Sequence, residues 1–433
     1  MKIKQKIIFL LSFLSLNFVF IIAARAEMDA TSNRIDVPTQ PPTIATPSTF
    51  QTTPGQNNIL SNVSVKPSIS APVLIPTPPN VDAKGYILID ANSGYIIAQK
   101  NADERMPPAS LTKLMTLYII ADSLRSEQIH LEDNVHISEK AWRTGGSRMF
   151  IKVGTDVPVN MLIQGIAVAS GNDATIAMAE FIAGSDDSFA NLMNQTAAKL
   201  GMINTHYTDS NGLPSPDHFA SPSDMARLAR AWIQHFPEYY PWFSQKWFTY
   251  NSIKQPNRNR LLWNDLSVDG LKTGHTDDAG YCLIVSAKRN ADMRLISVVM
   301  GSQSDKGRMN ASQALINYGF RFFETHKIYS ANTILTKVRT WYGKNKTTDL
   351  GIARDLYVTV PTGQYKNVKM FLIPDASLQA PVTKGKSYGN VKVTLNDKTI
   401  AQEALVALQD NPECGFFSRM IEHIKMWFYK NER

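Results

Sequence analysis

Ser110-Leu-Thr-Lys-Leu-Met-Thr-Leu-Tyr-Ile-Ile-Ala121 is apolar on nearly every side and follows the pair Pro107-Pro108. A segment with so little polar surface reads as a helix buried inside a domain rather than one lying on its surface. Its one charge, Lys113, has to find a partner within the protein. Residues three apart share a helix face, so the hydroxyl of Ser110 is within reach. Ser110-Leu-Thr-Lys113 is also the only Ser-x-x-Lys in the chain. A serine becomes a nucleophile when a neighbour takes its proton, and a desolvated lysine beside another cation is neutral enough to do so. The plainer reading is an N-capping serine followed by a solvated lysine. The apolar setting weakens it.

Upstream, Gly85-Tyr-Ile-Leu-Ile-Asp90 and Tyr95-Ile-Ile-Ala98 flank the turn Asn92-Ser-Gly94, the pattern of a hairpin. Downstream, helical periodicity covers 158–169, 173–183, 186–200 and 222–235. A second hairpin follows, with Tyr281–Lys288 and Met293–Met300 joined by Arg289-Asn-Ala-Asp292, and 307–324 returns to helix. Strands at both ends with helices between them predict one antiparallel sheet assembled from both ends and covered by helices. Beyond it, Leu356–Val360, Val368–Ile373 and Val391–Leu395 alternate between Gly, Asn and Asp turns and predict a small all-β domain. The fold class is therefore α+β.

The 433 residues allow two or three domains, and 43% hydrophobic against 19% charged residues excludes global disorder. Lys2, Lys4 and Lys6 precede the apolar run Ile7–Ile22, and Ala24-Arg25-Ala26 supplies small residues for cleavage, so 1–26 reads as an export signal. The alternative, an uncleaved anchor, has a 16-residue core, short of the ~20 that span comfortably. The mature protein is therefore expected to start near Glu27 and to work outside the cytoplasm. Without the four cations of the leader the net charge falls from +8 to +4, too mild and scattered for a nucleic-acid binder. Residues 27–80 carry ten prolines among Thr, Ser, Gln and Asn and read as a disordered tether, with a partner-binding arm as the alternative. Cys282 and Cys414 cannot build a disulfide framework or a four-thiolate zinc site, and the eight histidines include no H-E-x-x-H pair.

Two further motifs matter. Ser170-Gly-Asn172 sits between apolar helical segments, and Lys272-Thr-Gly274 leads into the second hairpin, after gaps of 60 and 102 residues. Each alone is a helix break or a strand end. In this order the trio is a known signature of serine acyl-transfer enzymes. The stretches Pro108-Ala-Ser-Leu-Thr-Lys113, Ser170-Gly-Asn-Asp-Ala174, Leu261-Leu-Trp263 and Asp269-Gly-Leu-Lys-Thr-Gly-His-Thr276 extend the likeness. The chain from about residue 80 onward resembles the low-molecular-mass penicillin-binding proteins that are serine-type D-alanyl-D-alanine carboxypeptidases. The resemblance implies a β-lactamase/transpeptidase-like domain at 81–322, a β domain at 323–412 and no metal or cofactor. It implies peptidoglycan stem peptides as substrates, β-lactam antibiotics as acylating agents and, with the export signal, a peripheral place on the periplasmic face of a bacterial inner membrane. By the same resemblance Ser110 is the acylated nucleophile, Lys113 its base, and Ser170 and Asn172 the opposite wall. Lys272 raises the local positive potential. The N–H groups of Ser110 and His275 form the oxyanion hole, while Thr273, Gly274, Arg258 and Arg308 belong to the substrate-binding side, where Thr273 and the two arginines take the terminal carboxylate. The pattern departs at Asn211-Gly-Leu, where relatives often carry His-Gly-Leu, so position 211 has no assigned role.

A class A-type β-lactamase needs a deacylating glutamate, and no Glu-x-x-Leu-Asn is present. A D,D-endopeptidase shares the trio but usually lacks the second domain and final helix. A non-enzymatic wall-binding protein is expected to have lost Ser110 or Lys113. At 413–433, Phe416, Phe417, Met420, Ile421, Ile424, Trp427 and Phe428 recur at helical spacing opposite Arg419, Glu422, His423 and Lys425. That pattern predicts a helix lying in a membrane surface, with packing onto the β domain as the alternative.

Overall fold

The computed structural model describes residues 75–289 and 292–431, with side chains to Met426. The expected export signal and all but the end of the expected tether lie outside the described residues, as do the two central residues of the second hairpin turn.

The strand Gly85–Asp90 is buried at every position because both of its neighbours and both of its faces are covered. It pairs with Ile96–Lys100 on one side and Arg294–Ser302 on the other, with Gly85 opposite Met300 and Asp90 opposite Leu295. Gly280–Lys288 and Val268–Thr276 complete a five-stranded antiparallel sheet in which Val268–Thr276 is an edge. Side chains alternate across a strand, and here the two sets enter two cores. Ile87, Ile89, Ile284, Ile296 and Val298 join the helical side, which includes Leu114, Leu117, Met178, Phe189 and Trp232. Tyr86, Leu88, Leu283, Val285 and Leu295 meet the helix Asp305–Phe322 through Ala311, Leu315 and Ile316. The sheet is thus the middle of three layers, assembled from both ends of the domain as its periodicity indicates.

The expected helix at 110–121 is divided. Ala109–Thr112 is a single 3-10 turn, and the α-helix runs Lys113–Arg125 with only Asp122 and Arg125 exposed. Pro107-Pro108 offers no N–H to an earlier turn, and Ala109 has a φ of +48°, so the chain enters tightly. In a 3-10 turn, positions i and i+3 are eclipsed, which still stacks Lys113 over Ser110. The 158–169 segment is also two pieces, an α-helix Val159–Gln164 and a wider π turn Gly165–Ala169 that ends at Ser170 with φ +58°. Short strands at Asn134–His136, Asp156–Pro158, Trp247–Tyr250 and Ile253–Pro256 have no counterpart in the sequence reading.

From Phe323 to residue 412 the chain is almost wholly β, with one 3-10 turn at Tyr365–Asn367. Phe323–Tyr329 pairs with Leu356–Pro361. A six-stranded sheet runs in the order Val368–Pro374, Ser387–Leu395, Lys398–Ala407, Thr347–Gly351, Thr336–Trp341, Leu378–Gln379. Its core includes Val338, Leu350, Val358, Val391, Val393 and Leu405. Ser93 Oγ lies 2.6 Å from Thr359 Oγ1, tying the first hairpin turn to this domain. The edge strand Val368–Pro374 exposes Met370, Phe371, Leu372 and Ile373.

The last helix, Phe416–Asn431, turns its polar side toward the β domain. Tyr342 Oη lies 2.9 Å from His423 Nδ1 and 3.7 Å from Met426 Sδ, and Arg339 reaches Glu422 at 3.6 Å. Phe416, Phe417, Met420, Ile421 and Ile424 are left exposed by 52–78%. No helix among the described residues is long and apolar enough to cross a membrane.

Candidate active site

Lys113 is completely buried, and its amine has three neighbours. Nζ lies 3.0 Å from Ser110 Oγ, 2.7 Å from Asn172 Oδ1 and 2.7 Å from the Asn211 carbonyl oxygen. The two carbonyl oxygens are acceptors only. A neutral amine therefore spends its two N–H groups on them and turns its lone pair to the Ser110 hydroxyl. Burial, assisted by the charge of Arg258, lowers the pKa of Lys113 to about 7, against the pull of Asp209 and Asp173. The asparagine is held in the matching orientation, since its Nδ2 donates to the Gly145 carbonyl at 2.7 Å.

Ser170 and Lys272 form the second pair. Ser170 occupies the left-handed position between the π turn and the helix Asn172–Ala183. There its Oγ accepts a hydrogen bond of 2.8 Å from Lys272 Nζ, which also donates to the Thr273 carbonyl at 3.1 Å. Lys272 is pushed well below the usual lysine range by burial first, then by Lys113, Arg258 and Arg308. Four basic side chains, Lys113, Lys272, Arg258 and Arg308, thus sense one another here, and the positive potential of the two arginines favours an anion.

The edge strand Val268–Thr276 packs against the 3-10 turn that carries Ser110. At Gly274 an added Cβ would lie 2.8 Å from the Pro108 carbonyl oxygen and 3.2 Å from Ser110 N, so only glycine lets the two backbones meet. An edge strand offers a row of N–H and C=O groups to an extended peptide. Thr273 is buried beside Lys272, and His275 is exposed, its ring centroid 4.0 Å from that of Tyr281.

The arginines differ. Arg258 is exposed and makes no hydrogen bond or ion pair among the described residues. Burial of its surroundings and the charge of Arg308 lower its pKa. Arg308 is 7% exposed, and Nη1 donates to the carbonyls of Gly274 (2.8 Å) and Cys282 (3.1 Å) while Asp305 takes Nε and Nη2. In this arrangement it braces the Gly274 backbone from behind, with most of its donors used. Cys282 is a buried free thiol, pushed up to about 11 by burial, and Cys414 is also free. Among the described residues no three His, Cys, Asp or Glu side chains gather as metal ligands do.

Two contributors have no role in the sequence reading. The Asn211 carbonyl, one of the three partners of Lys113, is a backbone group at the position left without a role. Asp173 accepts N–H bonds from Met149 (2.9 Å), Phe150 (2.9 Å) and Ile151 (3.3 Å), anchoring that loop beside Asn172. Its place in Ser170-Gly-Asn-Asp was the available signal.

Residues 73–304 match the family described as D-alanyl-D-alanine carboxypeptidase, and 323–413 match the C-terminal domain of penicillin-binding protein 5. The D-alanyl-D-alanine carboxypeptidase DacA of Escherichia coli strain K12 is 44% identical over 364 residues, 82% of this chain and 90% of that one. Penicillin-binding protein 5 from Haemophilus influenzae is similar in structure, with a TM-score of 0.73 and 43% identity over 78% of this chain and 99% of the other. Penicillin-binding protein D2 from Listeria monocytogenes in its ampicillin-bound form has a TM-score of 0.52 and 28% identity, covering 56% and 99%.

Proposed function

The chain belongs to the D-alanyl-D-alanine carboxypeptidase family, with the second domain of a low-molecular-mass penicillin-binding protein, and from that premise we propose how its residues divide the work. It is a serine hydrolase that removes the terminal D-alanine of peptidoglycan stem peptides, and β-lactams acylate it.

The observation that carries the site assignment is the buried Lys113 amine, 3.0 Å from Ser110 Oγ and displaced to about 7. Ser110 Oγ attacks the carbonyl carbon of the penultimate D-alanine, and its proton passes to Lys113 Nζ. The backbone N–H groups of Ser110 and His275 receive the oxyanion, the term usually largest in acyl transfer. As the C–N bond breaks, the leaving D-alanine amine takes the proton that Lys113 removed from Ser110, with Ser170, held by Lys272, as the relay, and Lys113 is neutral again. Water then attacks the ester carbonyl, Lys113 takes its proton, and Ser110 is regenerated. Asn172 Nδ2 has one N–H left for the substrate amide. The carboxylate of the departing residue goes to the cationic corner of Lys272, Thr273 and Arg258, with Arg308 supporting from behind Gly274. A free C-terminal carboxylate is the group this corner suits, which favours carboxypeptidase over endopeptidase action.

The exposed side chains of Phe416, Phe417, Met420, Ile421 and Ile424 support a membrane-surface anchor, since the polar side of their helix is already engaged by the β domain. The Lys-rich leader supports export to the periplasmic face of that membrane. The deciding experiment is intact-mass analysis after exposure to benzylpenicillin. One adduct per chain is expected, and Ser110→Ala abolishes it. An adduct that persists in the variant places the nucleophile elsewhere.

A further inference from the structure

We propose that Asp209 is a positioning residue for the general base: its carboxylate holds the Asn211–Gly212 peptide unit so that the Asn211 carbonyl stays aimed at the Lys113 amine. The proposal rests on Lys113 being that base.

Asp209 Oδ1 accepts the N–H of Asn211 at 2.8 Å and the N–H of Gly212 at 2.6 Å. The second of these belongs to the same peptide unit whose carbonyl oxygen lies 2.7 Å from Lys113 Nζ. In a trans peptide N–H and C=O point in opposite directions. A continuous chain therefore runs from carboxylate to N–H, through the amide to C=O, and on to the lysine. Each bond polarises the next, so a negative charge at one end strengthens the acceptor at the other. The unit has no freedom to turn away. Gly212 has φ +85°, and an added Cβ would lie 2.0 Å from the Ala109 carbonyl oxygen, in the turn that carries Ser110.

The other groups facing this assembly do not replace Asp209. His218 Nδ1 is 3.7 Å from Asp209 Oδ2. That nitrogen accepts the Thr208 N–H at 3.2 Å, and Nε2 lies 2.8 Å from Thr112 Oγ1, an arrangement of a neutral ring protonated on Nε2. Burial lowers its pKa in the same sense. Asp186 accepts the Ser210 N–H at 3.1 Å, and burial raises its carboxyl. On Lys113 itself, Asp209 is the first of the two carboxylates that oppose the effect of burial, ahead of Asp173, while Arg258 adds to it.

The test compares acylation by a fluorescent penicillin across pH 5–10 in the full chain, wild type against Asp209→Asn and Asp209→Thr. Both replacements keep a neutral acceptor for the two N–H groups. The pH of half-maximal acylation is expected to fall by roughly half a unit or more. The plateau is expected to fall by about threefold to tenfold, because a weaker base transfers the proton less well. A lowered plateau with the half-maximal pH unmoved means a merely structural role and overturns the proposal, as does a wild-type profile in either folded variant. If Asp209→Asn does not fold, the Thr variant decides, and failure of both to fold also overturns it. A wild-type chain that never acylates would instead remove the assignment of Ser110 and Lys113.

Discussion

The neutral fraction of one buried lysine should set the speed of acylation. The pKa of Lys113 moves from 10.5 to about 7, a displacement of about 3.5 units, or about 5 kcal/mol between its two protonation states. At pH 7 about half of the molecules then hold a neutral amine, against roughly 0.03% for an unshifted lysine, a factor on the order of a thousand. The sign follows from the role: protonation occupies the lone pair, so activity is lost as pH falls through the folded value. Acylation by a fluorescent penicillin, followed by stopped flow, should rise about tenfold per unit below pH 6 and level off above pH 8. Lys113→Arg should fold and remain nearly inactive throughout, because a guanidinium does not deprotonate in this range. A wild-type rate still climbing tenfold per unit between pH 8 and 10 would show an unshifted base and refute the reasoning.

Gly212→Ala places a methyl 2.0 Å from the Ala109 carbonyl oxygen at a positive φ; a loss of about 2 kcal/mol or more is expected by denaturant unfolding, and unchanged stability would mean the turn is not pinned as described. Arg258→Ala should raise KM for a pentapeptide by about tenfold or more while acylation by a neutral ester is little changed; equal effects on both substrates would place the arginine outside carboxylate recognition. Removing residues 413–433 should abolish liposome co-sedimentation yet leave D-alanine release intact, since the described catalytic side chains all precede Phe323. Persistent membrane binding by the truncated chain would move the anchor elsewhere.

The motif residues were legible because their chemistry is anomalous where they sit. A lysine in an otherwise apolar helix and a second lysine within a strand announce themselves; Lys113 meets Ser110 and Asn172, and Lys272 meets Ser170, through side-chain contacts of 2.7–3.0 Å. The local backbone was less legible. Ser110 lies on a 3-10 turn because of Gly212 and Gly274, glycines roughly 100 and 160 residues away in sequence, and periodicity carries no record of a distant close approach. The resemblance gives Arg308 to the terminal carboxylate, yet its donors are committed to two carbonyls and Asp305, partners visible only once the sheet is built. The Asn211 contribution is a backbone carbonyl, a group every residue has, and only its orientation toward Lys113 is special. In the β domain, Leu356–Pro361 and Val368–Pro374 are mostly apolar, β-branched or aromatic, whereas Thr336–Trp341 and Thr347–Gly351 mix Thr with Lys, Arg and Asp and have few apolar positions. Those strands owe their existence to neighbours rather than to their own composition.

The pairing of Gly85 with Met300 has a consequence for the order of events in the life of the chain. During synthesis the first strand of the catalytic sheet emerges with its hydrogen-bonding edge open, and its partner follows only after about two hundred further residues. Non-local pairing of this kind must wait for a long loop to close, which makes folding slow and late. Until residue 302 is available the three-layer core has no middle, so the catalytic domain cannot close early around its own first half. A chain that has to be threaded through a membrane before it folds, as the leader proposed here requires, is served by that delay. The same wiring that makes the finished sheet a floor for Ser110 and Lys272 keeps the catalytic domain of the nascent chain open until nearly all of it has been made, the state that the proposed export would need.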